Sequence, residues 1–76
     1  MSPRVQKKKF AIAGFSHSGG VSKLAIKDEK EEITLYLDSI PDEIPENGSE
    51  IVVFYAKKGV IDSVVTKNFY ANVIED

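Results

Sequence analysis

Only one short stretch of the chain gathers side chains capable of chemistry, Gly14-Phe15-Ser16-His17-Ser18-Gly19-Gly20. It holds the single histidine, two hydroxyls and three of the five glycines. A nucleophile–base pair needs a hydroxyl within hydrogen-bond reach of the imidazole, yet residues adjacent along an extended chain point to opposite faces. Ser16 and Ser18 therefore gain nothing from flanking His17. The nucleophile elbow G-x-S-x-G is absent, because Ser18 stands where the second glycine is required. Neither G-x-G-x-x-G nor G-x-x-x-x-G-K-[ST] occurs, so the glycines do not make a nucleotide-phosphate cradle. Lys23, close behind Gly19-Gly20, could at most help backbone N–H groups hold one phosphate. Acids crowd Asp38, Asp42, Glu43, Glu46 and Glu50, but their spacing is not that of a calcium loop. With one histidine and no cysteine there is no zinc ligand set. No catalytic residue, metal site or cofactor is assigned, and the expectation is a protein that is not an enzyme.

Binding is the chemistry that remains. The net charge of −2 conceals a segregated distribution: residues 1–27 carry +6, residues 28–50 carry −8, and residues 51–76 balance. Blocks of this kind speak to partners more than the total does. Lys7, Lys8, Lys9, Lys23 and Lys27 supply the basic block together with Arg4. Tyr36 faces outward if Ile33, Leu35 and Leu37 face the core, and Tyr70 faces outward if Phe69, Ala71 and Val73 face inward. Tyr55 lies in a strand that is apolar on both parities, so its side is open. Small barrels that bind single strands stack bases on exposed aromatic rings and track the phosphates with lysines. The expected function is therefore RNA or single-stranded DNA binding through Lys7, Lys8, Lys9, Lys23, Lys27, Tyr36 and Tyr70. The alternative is a protein–protein interaction module or small structural subunit, including a homodimer. Its +6 and −8 blocks would be complementary faces, and its exposed apolar element would lie at Val52–Tyr55.

These side chains need strands to position them. Residues 1–7 lack periodicity and read as a mobile basic arm, with residues 8–76 as one small domain. Lys8–Phe15, Val21–Lys27, Ile33–Leu37, Ile51–Ala56, Val60–Thr66 and Phe69–Ile74 read as strands, from period-two alternation or short apolar runs between turn formers. In the first, Phe10 and Ile12 share a face opposite Ala11, Ala13 and Phe15. Asp38–Glu50 holds two prolines and an Asn-Gly pair and reads as a loop, with room for one 3₁₀ turn. No sustained 3.6-residue period appears. The fold expected is all-β, a small antiparallel barrel of five to six strands. An SH3-like meander is favoured over an OB barrel because the slot after the third strand holds the proline-rich loop rather than a helix.

At 76 residues the core is small, so closing the sheet is the economical route to stability. No apolar run approaches the ~20 residues that span a bilayer, and the N-terminus lacks a signal-peptide pattern. The expectation is an intracellular, cytoplasmic protein. Plentiful Lys and Glu with few Asn and Gln lean toward a thermophile.

Overall fold

The computed structural model describes residues 6–74. Six strands make up one sheet: β1 (Gln6–Ser18), β2 (Val21–Lys27), β3 (Glu32–Leu37), β4 (Glu50–Lys57), β5 (Val60–Val65) and β6 (Tyr70–Asn72). Every pairing is antiparallel, and the spatial order is β3-β2-β1-β4-β5-β6. The sheet curls into a half-barrel, and no helix occurs among the described residues. The all-β class and small-barrel form match the sequence expectation.

The connectivity differs from a single six-stranded meander. β1 runs for 13 residues, long enough to serve two partners. Its Ala11–Ser18 half pairs with β2, while its Gln6–Ala11 half pairs with β4. The order β4-β1-β2-β3 is a Greek key, with residues 38–49 as the long return connection. The connection carries no helical turn. It is tied to β1 by Ile12 N–H donating to the Ser49 carbonyl (2.8 Å) and Gly48 N–H donating to the Ile12 carbonyl (2.7 Å). Gln6 and Lys7 belong to β1 rather than to the arm, whose remaining residues 1–5 lie outside the described residues.

The hairpin between β1 and β2 turns on two residues, Gly19 (φ 59°) and Gly20 (φ 80°). Two consecutive positive φ values are the signature of a type I′ turn, whose twist matches that of the flanking strands. Ser16, His17 and Ser18 are thereby strand residues, not part of the turn.

Alternation dictates the core. Phe10, Ile12, Leu24, Ile26, Leu35, Leu37, Ile51, Val53, Val64 and Ala71 are buried in one cluster. Two bulges adjust it. Between Ile12↔Ile26 and Gly14↔Ala25 the unpaired Ala13 reverses the parity of β1. Phe15 consequently lies opposite Leu24 and packs on the core, on the face of Phe10 and Ile12 rather than the one its spacing implies. In β5 the unpaired Asp62 likewise lets Ile61 face Tyr55 and join the core.

The sheet closes on itself at one place. Leu37 bridges Val73, Asp38 N–H donates to the Asn72 carbonyl (3.0 Å) and Ile74 N–H donates to the Tyr36 carbonyl (2.7 Å). Side chains reinforce the seam: the Asp38 carboxylate accepts from Asn72 N–H (3.1 Å) and from Asn72 Nδ2 (3.4 Å). Below it β3 and β5 do not pair, leaving a groove of about 450 Å³ lined in part by Ile33, Leu35, Tyr55 and Ile61.

Leu24 is fully buried at the centre of the cluster. Leu24→Ala is expected to destabilise the fold by about 2–5 kcal/mol, a large share of the total for so small a domain. Urea unfolding followed by far-UV circular dichroism reads this, and a loss under about 1 kcal/mol would contradict a rigid core there.

Candidate nucleic-acid interface

Residues directly opposite in paired strands share a face, so the register assigns each candidate side chain to one side of the sheet. On the outer face one row runs Ser16, Lys23, Tyr36 across β1, β2 and β3. Another holds Ala11, Lys27 and Glu32, with Glu50 opposite Ala11 on β4. Two more cross the other half: Lys9, Val52, Val65, Tyr70, and Lys7, Phe54, Ser63, Asn72. Of the seven residues expected at the site, Lys7, Lys9, Lys23, Lys27, Tyr36 and Tyr70 therefore share the outer face.

Lys23 lies directly across from Tyr36, within contact range for a cross-strand pair. Tyr70 is three strands from Lys9 along its row, roughly 14 Å at about 4.8 Å per strand. The closing seam shortens the route between the two tyrosines: Tyr36 sits beside Ile74, and Asp38 beside Asn72. The Tyr70 hydroxyl donates to Asn72 Oδ1 (3.2 Å), and Asn72 in turn donates to Asp38. Tyr36 and Tyr70 thus flank one polar latch. Tyr70 is 59% exposed and Tyr36 is half-buried, so Tyr70 offers the more open ring. The Asp38–Asn72 latch carried no local signal, since the partners stand 34 residues apart.

Acids temper this face unevenly. Lys9 Nζ lies 3.5 Å from Glu50 Oε2, with both side chains about two-thirds exposed, and Lys27 stands opposite Glu32. Such exposed pairs hold about 0–1 kcal/mol and open readily for a competing anion. Among the described residues, Lys7, Lys23 and Lys27 have no carboxylate within ion-pair distance.

Lys8 does not belong to this face. It shares the parity of Phe10 and Ile12 and reaches past the end of the core, its ammonium 5.0 Å from the centre of the Phe10 ring. There it contacts Asp28 Oδ2 (2.7 Å) and Glu31 Oε2 (3.7 Å). Asp28 also builds the β2–β3 turn, accepting from the Lys30 N–H (2.8 Å) and the Glu31 N–H (2.9 Å). The bond from Lys8, then those two N–H donors, pull the Asp28 carboxyl down to about 2. The same bond, with the nearby carboxylates, raises the Lys8 ammonium.

His17 has a structural partner that spacing alone did not reveal. It faces Ser22 across the hairpin, with Nδ1 3.0 Å from Ser22 Oγ. Ser22 is 2% exposed, so its hydroxyl is withheld from any substrate. Tyr55, whose side the sequence left open, packs on the core.

Val52 and Phe54, part of the apolar element expected at Val52–Tyr55, and Val65, which sequence reasoning passed over, are half-buried on the outer side and outside the core cluster. Apolar residues on both parities of residues 51–56 are the signal for Val52 and Phe54. A second groove, of about 580 Å³, lies between residues 43–50 of the connection and the β5–β6 turn at residues 66–69. The turn is held by Thr66 Oγ1, which accepts from the N–H groups of Asn68 (3.0 Å) and Phe69 (3.1 Å). No helix of the described residues is long and apolar enough to cross a membrane. Comparison with protein-family models, curated proteins and solved structures found no match to this chain.

The Asp28 carboxyl titrates lower in the folded protein than its ordinary value of 3.8. Its contribution to stability is therefore complete above about pH 4 and is lost as pH falls toward about 2. Asp28→Asn keeps an oxygen for the turn N–H groups but removes the charge facing Lys8. The variant is expected to melt lower at neutral pH and to show a shallower decline in Tm between pH 4 and pH 2, measured by thermal scans across that window. Parallel declines in the two proteins would place the acid sensitivity elsewhere.

Proposed function

We propose that the protein is a non-enzymatic binder of single-stranded nucleic acid, RNA or single-stranded DNA, acting in the cytoplasm through the outer face of its sheet. The observation that carries this reading is the placement of Lys7, Lys9, Lys23 and Lys27 on the face that also presents Tyr36 and Tyr70, with Lys23 directly opposite Tyr36. Stacking on an aromatic ring tolerates any base, because every base has a π face. Lysines two residues apart on a strand repeat at about 6.6–6.8 Å, close to the spacing of successive phosphates in an extended strand. Lys7 and Lys9 meet that condition on β1. The mechanism is capture of phosphates by these lysines, followed by stacking of unpaired bases on Tyr70 and Tyr36. Lys8, committed to Asp28 and Glu31, is a structural residue in this scheme.

Fluorescence anisotropy of a labelled oligonucleotide across a salt series tests the reading. Each phosphate contact contributes about −0.7 to the slope of log K against log[salt] for a single strand, so Lys7→Ala/Lys9→Ala is expected to flatten the slope by roughly 1.4. Tyr70→Ala is expected to weaken binding by about 5- to 150-fold, the equivalent of about 1–3 kcal/mol of lost stacking, with the slope unchanged. Lys8→Ala is expected to lower the melting temperature more than the affinity. Undetectable binding at low salt sinks the proposal.

A further inference from the structure

Two apolar features remain without a role in the reading above, and they lie close together on the molecule. The first is the outer patch of Val52, Phe54 and Val65, partly exposed on β4 and β5 and bordered on the β1 side by Lys7 and Lys9. The second is the connection itself. Ile40 is 59% and Ile44 is 75% exposed, among Asp38, Asp42, Glu43 and Glu46. Pro41 between them is buried and Pro45 half-buried. The prolines anchor this segment while the isoleucines are held out from it, a rigid presentation that lowers the entropy lost on docking.

Charge complementarity indicates what covers the patch. The patch is apolar with lysines along one side; the connection is apolar with carboxylates around it. Each supplies what the other lacks, and both belong to this chain. They also adjoin. The Ile44 segment borders the groove of about 580 Å³ against Thr66–Phe69, which follows directly on Val65. When donor and acceptor lie side by side, a two-fold axis lets each copy give its connection and receive the other's, so the assembly closes as a dimer.

We propose that the Val52–Phe54–Val65 face docks residues 40–46 of a second copy of this chain. Ile44 is seated on the apolar patch, and Glu43 and Glu46 are set against Lys7 and Lys9. The exchange is reciprocal, and it requires neither nucleic acid nor the Tyr36–Lys23 pair.

Sedimentation equilibrium of the nucleic-acid-free protein at low salt provides the test, with far-UV circular dichroism confirming that each variant is folded. The expected result is reversible association to twice the 8.4 kDa chain mass. Ile44→Ser is expected to weaken association at least tenfold, as is Lys7→Glu/Lys9→Glu. Adding Glu43→Lys/Glu46→Lys to the lysine-reversed chain is expected to restore the dimer, because the charges again oppose. Lys23→Ala/Tyr36→Ala is expected to leave association unchanged even where it weakens oligonucleotide binding. That separates failure of this interface from failure of the nucleic-acid reading. A monomer at millimolar concentration, a dimer indifferent to Ile44→Ser, or failure of the double reversal to rescue association overturns the proposal.

Discussion

The structure depends on β1 having two partners. One strand of 13 residues gives its later half to β2 and its earlier half to β4. Without the second pairing the chain would be two separate three-stranded ribbons, each with an open edge and half a core. With it, Phe10 meets Ile51 and Lys8 meets Val53, while Ile12 meets Ile26 through the other ladder. The same register carries Lys7 to Phe54 and Lys9 to Val52, joining basic and apolar segments that lie far apart in sequence. Core and outer surface are thus two faces of one hydrogen-bonding decision.

Much of this was legible in the chain. Period-two alternation and short apolar runs located all six strands, and parity put Leu35 and Leu37 inward and Tyr36 outward. What alternation cannot encode is the identity of the neighbouring strand. Hydrophobic period marks which face is buried, whereas pairing is settled by where loops return and how long each strand runs. Bulges were equally hidden, since Ala13 reads as an ordinary small residue. Its extra position moves Phe15 across the sheet.

The candidate site was legible to a similar depth. Lys7, Lys9, Lys23 and Lys27 form a group in the sequence by charge alone, and the strand register sets all four on the outer face. Lys8 shows the limit of counting charges: it stands two residues before Phe10, so strand parity directs it toward the core side. Its ammonium serves the end of the barrel, where it and two backbone N–H donors converge on the Asp28 carboxylate. Asp38, one of the loop acids, likewise has local work at the seam, holding Asn72 rather than standing free in solvent.

The closing seam carries a consequence for how the chain reaches this state. The β1–β2 hairpin needs only its two-glycine turn, and hairpins of that kind form in about 1–10 μs. The β1–β4 ladder and the Asp38–Asn72 contact must wait for segments well separated in sequence to meet, 34 residues apart in the latter case. Their loop-closure entropy is lost before those contacts return any stabilisation, which places barrel formation on the slower scale of milliseconds to seconds. During that interval both three-stranded halves expose unpaired edges. Like charges at Lys7 and Lys9 disfavour pairing of one β1 edge with the β1 edge of another copy, while Glu50 beside Lys9 favours the native β1–β4 ladder.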